Sequence, residues 1–209
     1  DSPLVSVLVL NYNGLVHLPE CLESLKKQTY PNYQVALVDN ASTDESVVYV
    51  RRNFPEVSIV QSSKNTGTAG GFNFGAKYAE GKYMLLLAND IEAKPNLIEE
   101  LVGKIQEDEN IAICTGKMMR FDKRDVIDYN GFKIDLFAFP YAPGHNEKDQ
   151  GQGQELVDVV PTGTLLLIKK DVFQEVGGFD DTYFTLGDEI DLWWRIRLLG
   201  YRSVIHHNA

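Results

Sequence analysis

Short apolar runs alternate along the first half of the chain with segments whose apolar residues recur at helical spacing. The runs are continuous and rich in leucine and β-branched residues, which is typical of strands that are buried on both faces of a sheet. We predict such strands at 4–10, 35–39, 57–62, 83–88 and 111–116. Because strands and helices alternate, the pattern predicts an α/β fold with a mainly parallel central sheet flanked by helices and joined by right-handed crossovers.

Helices are predicted between these strands. The first carries apolar residues at helical spacing, namely Leu15, Leu18, Leu22 and Leu25. Pro19 fits only near the start of that helix, and Pro95 is at a natural first position of a later one. The second helix follows "NASTDES", in which Ser42, Thr43 or Asp44 can cap its first N–H groups.

The second half of the chain has a different pattern. Between residues 118 and 160 aromatic residues are scattered without a lasting period, which predicts a hairpin and a long surface loop over the sheet. A strand is expected at 164–170, followed by a short helix that ends at glycines and by a final helix that ends at Gly200. The last residues, "GYRSVIHHNA", resemble an interrupted strand, so we expect the protein to continue beyond Ala209.

Composition narrows the class of protein. The 209 residues fit one domain, and 44% hydrophobic with 24% charged residues is ordinary for a soluble globular protein. A formal net charge of -10 argues against nucleic acid or an anionic lipid surface as the main partner. Cys21 and Cys114 are too few and too far apart in sequence for a disulfide framework or a zinc site, so reduced, cytosolic thiols are expected. No apolar run is long enough to span a bilayer, and no signal peptide is visible.

Three polar stretches lie where predicted strands end or helices begin. "LNYNG" at 10–14 follows the first strand, and turn formation alone would explain it. "VDNASTD" at 38–44 ends the second strand with Asp39, whose carboxylate either accepts hydrogen bonds from a base or ribose or simply precedes a capped helix. "KNTGTAGGFNFG" at 64–75 opens a helix with small residues, as close approach to a phosphate or ribose would require. It is neither a P-loop nor a dinucleotide-binding fingerprint.

A fourth stretch, "LLLANDIEAKPN" at 85–96, turns abruptly from leucines to Asn89 and Asp90. In an open α/β sheet, ligands bind at the carboxyl ends of the strands. Asp90 is therefore well placed to hold a divalent cation, since Mg²⁺ or Mn²⁺ typically uses one or two carboxylates plus substrate phosphates. The alternative is that Asn89 or Asp90 only starts the turn before Pro95.

Six segments in this order resemble glycosyltransferase family 2, whose members are inverting enzymes of the GT-A fold. They are "SVLVLNYNG", "VALVDNASTDES", "KNTGTAGGFNFG", "LLLAND", "PTGTLLLIKKDVFQEVGGFDD" and "GDEIDLWWRIRLLGY". The resemblance runs from Leu4 to about Val204, is weakest between 131 and 158, and is strongest to the rhamnosyltransferase-like branch. It implies one GT-A catalytic domain, with a nucleotide-sugar-binding half at 1–116 and an acceptor-side half at 117–209 that includes a small antiparallel and loop region.

The resemblance implies a donor site for a UDP-, dTDP- or GDP-sugar. Its residues would be Leu10, Asn11, Tyr12, Asp39, Asn65, Gly70, Gly71, Asn89 and Asp90. Asp39 would contact the base, and Asn65 with the glycines after it would shape the ribose and diphosphate pocket. Asp90 matches the last acid of the family's D-x-D-type motif and would hold the Mg²⁺ or Mn²⁺ that bridges the diphosphate. The first acid of that motif is here Ala88, and Asn89 is its partial replacement.

The helix that starts "GDEIDLWWR" resembles the family's E-D-x-D-type segment, whose second acid is the general base. That position is Glu189, with Asp188 before it, so the two acids are in reversed order and both are candidate catalytic residues. A structural role as helix caps is the alternative for this pair. On the acceptor side the resemblance points to Thr162, Gly163 and Trp194.

Neighbouring residues of this helix have structural interpretations. Asp191 and Arg195 are spaced for an ion pair, and Trp193 and Trp194 cannot both face the core. The histidine that completes the metal site in relatives would lie beyond Ala209. His206 and His207 are therefore expected to be strand-end residues rather than metal ligands.

The function implied is transfer of a sugar from a nucleotide-diphosphate sugar to the hydroxyl of a saccharide or lipid-linked acceptor, in the cytoplasm or at the inner face of the membrane. Segments outside this sequence would mediate any peripheral membrane association. A sugar-phosphate nucleotidyltransferase would need a glycine-rich basic loop where this chain has "NYNG". A non-catalytic nucleotide-sugar-binding domain of a larger protein is the stronger alternative, because Ala88 and the reversed acids depart from the family pattern.

Overall fold

The structure is a computed structural model that describes residues 2–136, 139–152 and 158–209. Within these residues the strands are β1 (Val5–Asn11), β2 (Tyr33–Asp39), β3 (Ser58–Gln61), β4 (Tyr83–Ala88), β5 (Ile111–Gly116), β6 (Met118–Met119), β7 (Ile127–Tyr129), β8 (Lys133–Ile134), β9 (Pro140–Tyr141), β10 (Leu165–Lys169) and β11 (Arg202–His206). The helices are α1 (Leu18–Leu25), α2 (Ser46–Asn53), α3 (Gly67–Ala76), α4 (Leu97–Ile105), α5 (Lys170–Glu175) and α6 (Asp188–Leu198).

A seven-stranded sheet with the order β11-β5-β10-β4-β1-β2-β3 forms the centre of the molecule. β1 is parallel to both β2 and β4, β2 is parallel to β3, and β11 is parallel to β5. β10 is the exception, because it runs antiparallel to its neighbours β4 and β5. The mainly parallel sheet is therefore confirmed, and the carboxyl ends of β1, β2 and β4 meet at one edge.

Helices cover both faces of this sheet, which explains why its strands are continuously apolar. Along β1, Val5, Val7 and Val9 face the core that contains α1 and α4. Leu8 faces the opposite core, to which α3, α5 and α6 contribute. The sequence pattern had predicted this burial on both faces.

The ends of the first helices match the sequence pattern in part. Pro19 lies in the first turn of α1, as predicted. The helix after β2 begins at Ser46, later than a cap at Ser42 or Thr43 would place it, and Asp44 Oδ1 accepts the Ser46 N–H at 3.0 Å. Asp44 is therefore the predicted candidate that binds the first turn.

The region between β5 and β10 contains two small antiparallel sheets, β6 with β7 and β8 with β9. This confirms the predicted hairpin and adds a second. Tyr129 at the end of β7 is buried, and its hydroxyl donates to the Val160 carbonyl at 2.7 Å. The loop expected at 131–158 includes residues 137–138 and 153–157, which lie outside the described residues.

Two further expectations can be compared with the described residues. Cys21 and Cys114 are buried and free, as predicted. Within 2–136, 139–152 and 158–209, none of the helices has both the length and the apolar character needed to cross a membrane.

Candidate active site

Asn11 joins the ends of three strands at the carboxyl edge of the sheet. It is completely buried, and its Nδ2 donates to Asp39 Oδ1 at 3.2 Å. Its Oδ1 accepts a hydrogen bond from Asn89 Nδ2 at 2.7 Å. The predicted residues Asn11, Asp39 and Asn89 are thus brought together, and much of their hydrogen-bonding capacity is used within the protein.

Asp39 lies beneath the surface, with 1% of its area exposed. Its Oδ2 accepts the Ser42 N–H at 3.3 Å, so both carboxylate oxygens have partners in the protein. Its observed role is to hold Asn11 and the loop after β2. The predicted contact with a nucleotide base stays a prediction.

The loops after β1 and β2 brace each other above this buried network. Asn13 Oδ1 accepts the backbone N–H groups of Thr43 at 2.7 Å and Asp44 at 3.2 Å. In return, Ser42 Oγ accepts the Asn13 N–H at 2.9 Å. Tyr12 projects from this braced pair of loops with half of its surface exposed, so its ring is available to a ligand.

Asn40 is a residue that the sequence analysis missed. It is 2% exposed, and its Nδ2 donates to Asn65 Oδ1 and to the Gly67 carbonyl, both at 2.9 Å. Its Oδ1 accepts the Thr66 N–H at 3.1 Å. Asn65, predicted to shape the donor pocket, is therefore held by a neighbour of Asp39. The signal was present in "VDNASTD", but the two partners are far apart in sequence.

The glycines of α3 allow close packing of this helix. A Cβ on Gly71 would lie 2.5 Å from Leu10 Cδ1, and a Cβ on Gly70 would lie 2.6 Å from Thr66 Cβ. Leu10 thus packs under α3, although it was predicted to line the nucleotide site. Packing alone accounts for glycine at 70 and 71, and their contact with a diphosphate stays a prediction.

A segment that precedes α6 lies across the start of α3. The Phe184 carbonyl accepts the Thr68 N–H at 2.8 Å, and a Cβ on Gly67 would lie 1.8 Å from that carbonyl oxygen. Further along α3, Asn73 Nδ2 donates to the Phe179 carbonyl at 2.8 Å, and Asn73 Oδ1 accepts the Phe179 N–H at 2.9 Å. These bonds tie α3 to the chain that leads into α6.

Asp90 follows β4 as an exposed residue, and within the described chain its carboxylate makes no hydrogen bond or ion pair. Burial and, as the smaller cause, the negative charge of Asp90 together raise the pKa of the Cys21 thiol to about 12. No group of three or more His, Cys, Asp or Glu side chains that could hold a metal occurs in the ranges that the structure describes. A single free carboxylate fits a cation that takes its other ligands from substrate phosphates and water.

The terminal histidines lie where the sequence analysis expected them, at the end of a strand. His206 ends β11 and pairs with Glu100 at 2.8 Å. Its ring is therefore engaged with α4.

The two acids at the start of α6 have different surroundings. Asp188 is 2% exposed, whereas Glu189 is only partly buried. Burial raises the pKa of the Glu189 carboxyl above its ordinary value, and the adjacent Asp188 raises it further. Gly187 starts the helix with a φ of 89°, a conformation that favours glycine. Glu189 therefore combines access to solvent with the proton affinity of a useful base.

Of the predicted acceptor-side residues, Gly163 lies near Glu189. A Cβ on Gly163 would lie 3.7 Å from Glu189 Oε2, so the backbone at Gly163 faces this carboxylate. Thr162 is buried, and its hydroxyl bonds the Thr164 hydroxyl at 2.8 Å. The Thr164 carbonyl accepts the Ala88 N–H at 2.9 Å, which connects this segment to the end of β4, just before Asp90.

Helix α6 also shows the arrangement expected for its remaining residues. Asp191 and Arg195 form the predicted ion pair at 2.6 Å. Trp193 is buried, and Trp194 is 54% exposed, as expected for neighbours on one helix. The exposed ring of Trp194 leaves its predicted acceptor role open.

A cleft of about 620 Å³ opens beside Asp90. Its walls come from the segment between β4 and α4 and from the β6–β7 hairpin, and Thr164 and Leu165 contribute to its lining. The residues of the buried Asn11 network do not line it. The sequence analysis missed this cleft, because its two walls are separated by α4 and β5.

Comparison with known proteins gives the family of this chain. The model of "Glycosyl transferase family 2" matches residues 6–177. Glycosyltransferase GlyG of Streptococcus pneumoniae serotype 4 is 31% identical over 185 residues, covering 84% of this chain and 60% of that protein. An uncharacterised glycosyltransferase of Rickettsia prowazekii is 27% identical over 202 residues, covering 93% of this chain and 58% of that protein. The chain thus spans about three fifths of the length of these relatives.

Solved structures with the same fold are glycosyltransferases. The mannosyltransferase PcManGT of Pyrobaculum calidifontis, in complex with GDP-Man and Mn²⁺, has a TM-score of 0.71 and 20% identity, covering 100% of this chain and 56% of that one. S. aureus TarS in complex with UDP has a TM-score of 0.73 and 20% identity, with coverage of 98% and 58%. These likenesses confirm the GT-A-like α/β fold. With the family match over most of its length, this chain belongs to glycosyl transferase family 2.

Proposed function

We propose that this protein is an inverting glycosyltransferase of the rhamnosyltransferase-like branch, acting in polysaccharide or glycolipid synthesis. It transfers a sugar from a nucleotide-diphosphate sugar to an acceptor hydroxyl. The proposal assigns residues 1–116 to the donor and 117–209 to the acceptor within one catalytic domain. We place the reaction in the cytoplasm, where nucleotide sugars are made, or at the inner face of the membrane.

One observation carries the proposal: a free carboxylate and a carboxylate of raised pKa belong to two segments that both contact residues 162–164. Asp90 follows Ala88, whose N–H is bound by the Thr164 carbonyl at 2.9 Å. The adjacent Gly163 backbone faces Glu189. An exposed acid for the leaving group and a base for the acceptor are what an inverting transfer needs at the two ends of the reacting bond.

The donor nucleotide is assigned to the edge of β1, β2 and α3. There the ring of Tyr12 offers an exposed face to a base, while Asn11, Asp39 and Asn65 hold the loops below it. UDP-, dTDP- and GDP-sugars are the candidate donors. GDP-Man and UDP are bound by the structural neighbours, which supports a nucleotide sugar as the ligand.

A divalent cation, Mg²⁺ or Mn²⁺, is the proposed cofactor, and Asp90 would hold it with substrate phosphates as further ligands. When bound, such a cation neutralises charge on the leaving diphosphate. Mn²⁺ in the structure of the mannosyltransferase PcManGT supports this assignment. Ala88 replaces an acid of the family motif, and the amide of Asn89, fixed by Asn11, is the proposed substitute.

Glu189 is assigned as the general base. Burial raises its pKa, and Asp188, the second candidate catalytic residue, raises it further. Glu189 takes the proton of the acceptor hydroxyl while that oxygen bonds to the anomeric carbon. The bond from this carbon to the diphosphate oxygen breaks on the opposite face, so the configuration inverts and the nucleoside diphosphate leaves. Gly163 and Thr162 form the acceptor side beside Glu189, and Trp194 is a further candidate there.

Calorimetry with a panel of UDP-, dTDP- and GDP-sugars, in Mn²⁺ and in chelator, tests this function. We expect one donor to bind in Mn²⁺, and Asp90→Ala to abolish that binding. Glu189→Gln should bind the donor normally but lose transfer and donor hydrolysis. If folded protein binds no donor, the proposal is refuted.

A non-catalytic nucleotide-sugar-binding domain is the second candidate. Two observations favour this second candidate. Position 88 is alanine where the family motif has an acid, and the described part of the chain contains no group of three side chains that could hold a metal. It predicts donor binding without metal-dependent hydrolysis. Release of free sugar from the bound donor, measured with wild type and Glu189→Gln, separates the two candidates.

A further inference from the structure

Tyr129, at the end of β7, is a deeply buried tyrosine whose hydroxyl is fixed to a neighbouring segment. Only 2% of its surface is exposed, and the hydroxyl donates to the Val160 carbonyl at 2.7 Å. Its ring meets the Phe132 ring edge-on, with 5.0 Å between the centroids. Because a buried hydroxyl has lost its contact with water, it needs such a partner, and the bond fixes both groups.

The Val160 carbonyl belongs to the segment that reaches the proposed general base. Val160 exchanges backbone hydrogen bonds with Phe132 at 2.9 and 3.2 Å, so its carbonyl accepts from the Phe132 N–H as well as from the Tyr129 hydroxyl. Further along the same segment, a Cβ on Gly163 would lie 3.7 Å from Glu189 Oε2. A short stretch of backbone therefore connects the Tyr129 hydroxyl to the wall of the Glu189 carboxylate.

The segment 160–164 is anchored at both ends. At its far end the Thr164 carbonyl accepts an N–H at the end of β4, at 2.9 Å. At its near end it is held by the hydroxyl of Tyr129. Gly163 lies between these anchors, and glycine has more backbone freedom than any other residue. Its place beside Glu189 therefore depends on both ends being held.

The electrostatics of Tyr129 and Glu189 agree with this proximity. Burial raises the pKa of the Tyr129 hydroxyl, and the negative charge of Glu189 is a smaller cause in the same direction. Burial is also the largest cause of the raised pKa of Glu189, and Asp188 adds to it. If the backbone at Gly163 moved away, water would reach the Glu189 carboxylate more easily, and its pKa would fall towards the ordinary value.

We propose that Tyr129 is a positioning residue for the general base: its hydroxyl holds the backbone at 160–163 against the Glu189 carboxylate. The role of Glu189 as the base rests on the proposed function, whereas the contact rests on the geometry alone. Because Tyr129 is buried and its hydroxyl bonds to Val160, it acts through this backbone and not on a substrate. Loss of the hydroxyl should therefore slow proton transfer and leave the affinity for the donor unchanged.

The substitution Tyr129→Phe isolates the hydroxyl. It keeps the ring and leaves the Val160 carbonyl with the Phe132 N–H as its donor, so the variant should fold. The matched control is Tyr30→Phe, because Tyr30 is also buried, donates its hydroxyl to the Pro3 carbonyl at 2.7 Å and packs in the core with α1 and α4. Each substitution removes one bond of the same kind, so both should lower the melting temperature by similar amounts.

Carbon NMR of the Glu189 carboxyl measures the contact without any turnover. In protein labelled at the δ-carbon of glutamate, the Glu189 signal is identified by its loss in Glu189→Gln. We expect the pKa from its titration to be lower in Tyr129→Phe than in wild type, and unchanged in Tyr30→Phe. Were Tyr129→Phe to unfold, Phe132→Leu, which loosens the Tyr129 ring and keeps its hydroxyl, should lower this pKa in the same direction.

Steady-state kinetics measure the consequence for the reaction, with the donor that calorimetry identifies. For Tyr129→Phe we expect kcat to fall about tenfold and the KM for the donor to stay within about twofold of wild type, because a displaced base slows the reaction step and spares donor binding. Tyr30→Phe should resemble wild type in both constants.

The outcomes separate this inference from the proposed function. An unchanged pKa of Glu189 in Tyr129→Phe, an equal shift in Tyr30→Phe, or equal kcat values in the two variants would overturn the positioning role. If wild type binds and turns over a donor in that case, the transferase proposal stands. If instead wild type binds no nucleotide sugar while the pKa still shifts in Tyr129→Phe alone, the proposed function is refuted and the support of Glu189 by Tyr129 remains.

Discussion

Replacement of Asn11 by alanine tests whether the buried amide network supports the strand ends. The substitution removes hydrogen bonds from Asn11 Nδ2 to Asp39 Oδ1 and to Ser42 Oγ, the latter at 3.0 Å. It also removes the acceptor for Asn89 Nδ2. The side chain is completely buried, so water cannot replace these bonds without entering the core.

The expected loss follows from the bonds themselves. Each intramolecular hydrogen bond contributes about 1 kcal/mol net, and a buried group left without a partner costs about 1–3 kcal/mol. For Asn11→Ala the lost bonds and the unpaired Asp39 oxygen together predict a loss of about 3–5 kcal/mol in the free energy of unfolding. In a protein of this size, this lowers the melting temperature by about 10 °C.

Urea unfolding followed by circular dichroism measures this loss, with an unchanged m-value showing that the folded state is retained. Asn53→Ala is the matched control, because Asn53 is exposed and makes one bond, to the Tyr49 carbonyl at 2.8 Å. Its cost should stay within about 0.5 kcal/mol. A cost below about 1 kcal/mol for Asn11→Ala would refute the network as a support. We also expect weaker donor binding, since Asn89 and then Asp90 lose their anchor.

Two further predictions concern the acids and the link between α3 and α6. Burial and Asp188 raise the folded pKa of Glu189, so the carboxylate destabilises the folded state once the pH rises through that pKa. Glu189→Gln should therefore melt at a higher temperature than wild type near pH 7.5, with a difference that shrinks near pH 4; a lower melting temperature at pH 7.5 would contradict the assignment. Asn73 binds both backbone groups of Phe179 and so positions the chain that leads into α6. Asn73→Ala should therefore lower kcat more than it raises the KM for the donor. Equal effects on kcat and KM would count against this positioning role.

The arrangement of strands was predictable only in part. Continuous apolar runs predict β1, β4 and β5, because strands buried on both faces need apolar residues at every position. The direction of β10 leaves no such trace, since a buried strand has the same pattern whether it runs parallel or antiparallel to its neighbours. Its place between β4 and β5 depends on the long connection that precedes it.

The proximity of the predicted donor-site residues could be predicted better than their contacts. Asn11 and Asp39 end neighbouring strands and Asn89 directly follows β4, so their proximity follows from the order of elements in a parallel sheet. Their bonds to each other do not follow, because they join residues 28 and 78 positions apart. The same limit explains why Asn40 was missed and why glycines that pack on Leu10 resembled a phosphate loop.

These contacts divide the polar residues at the sheet edge into two groups with different consequences for function. Asn11, Asp39 and Asn40 are buried and satisfied by protein partners, so their substitution should act first on stability and only then on ligands. Asp90 and Glu189 retain access to solvent, and neither forms an ion pair in the described chain. We therefore propose these two free acids for the chemistry of the site, and mutations that separate loss of binding from loss of folding should be made there.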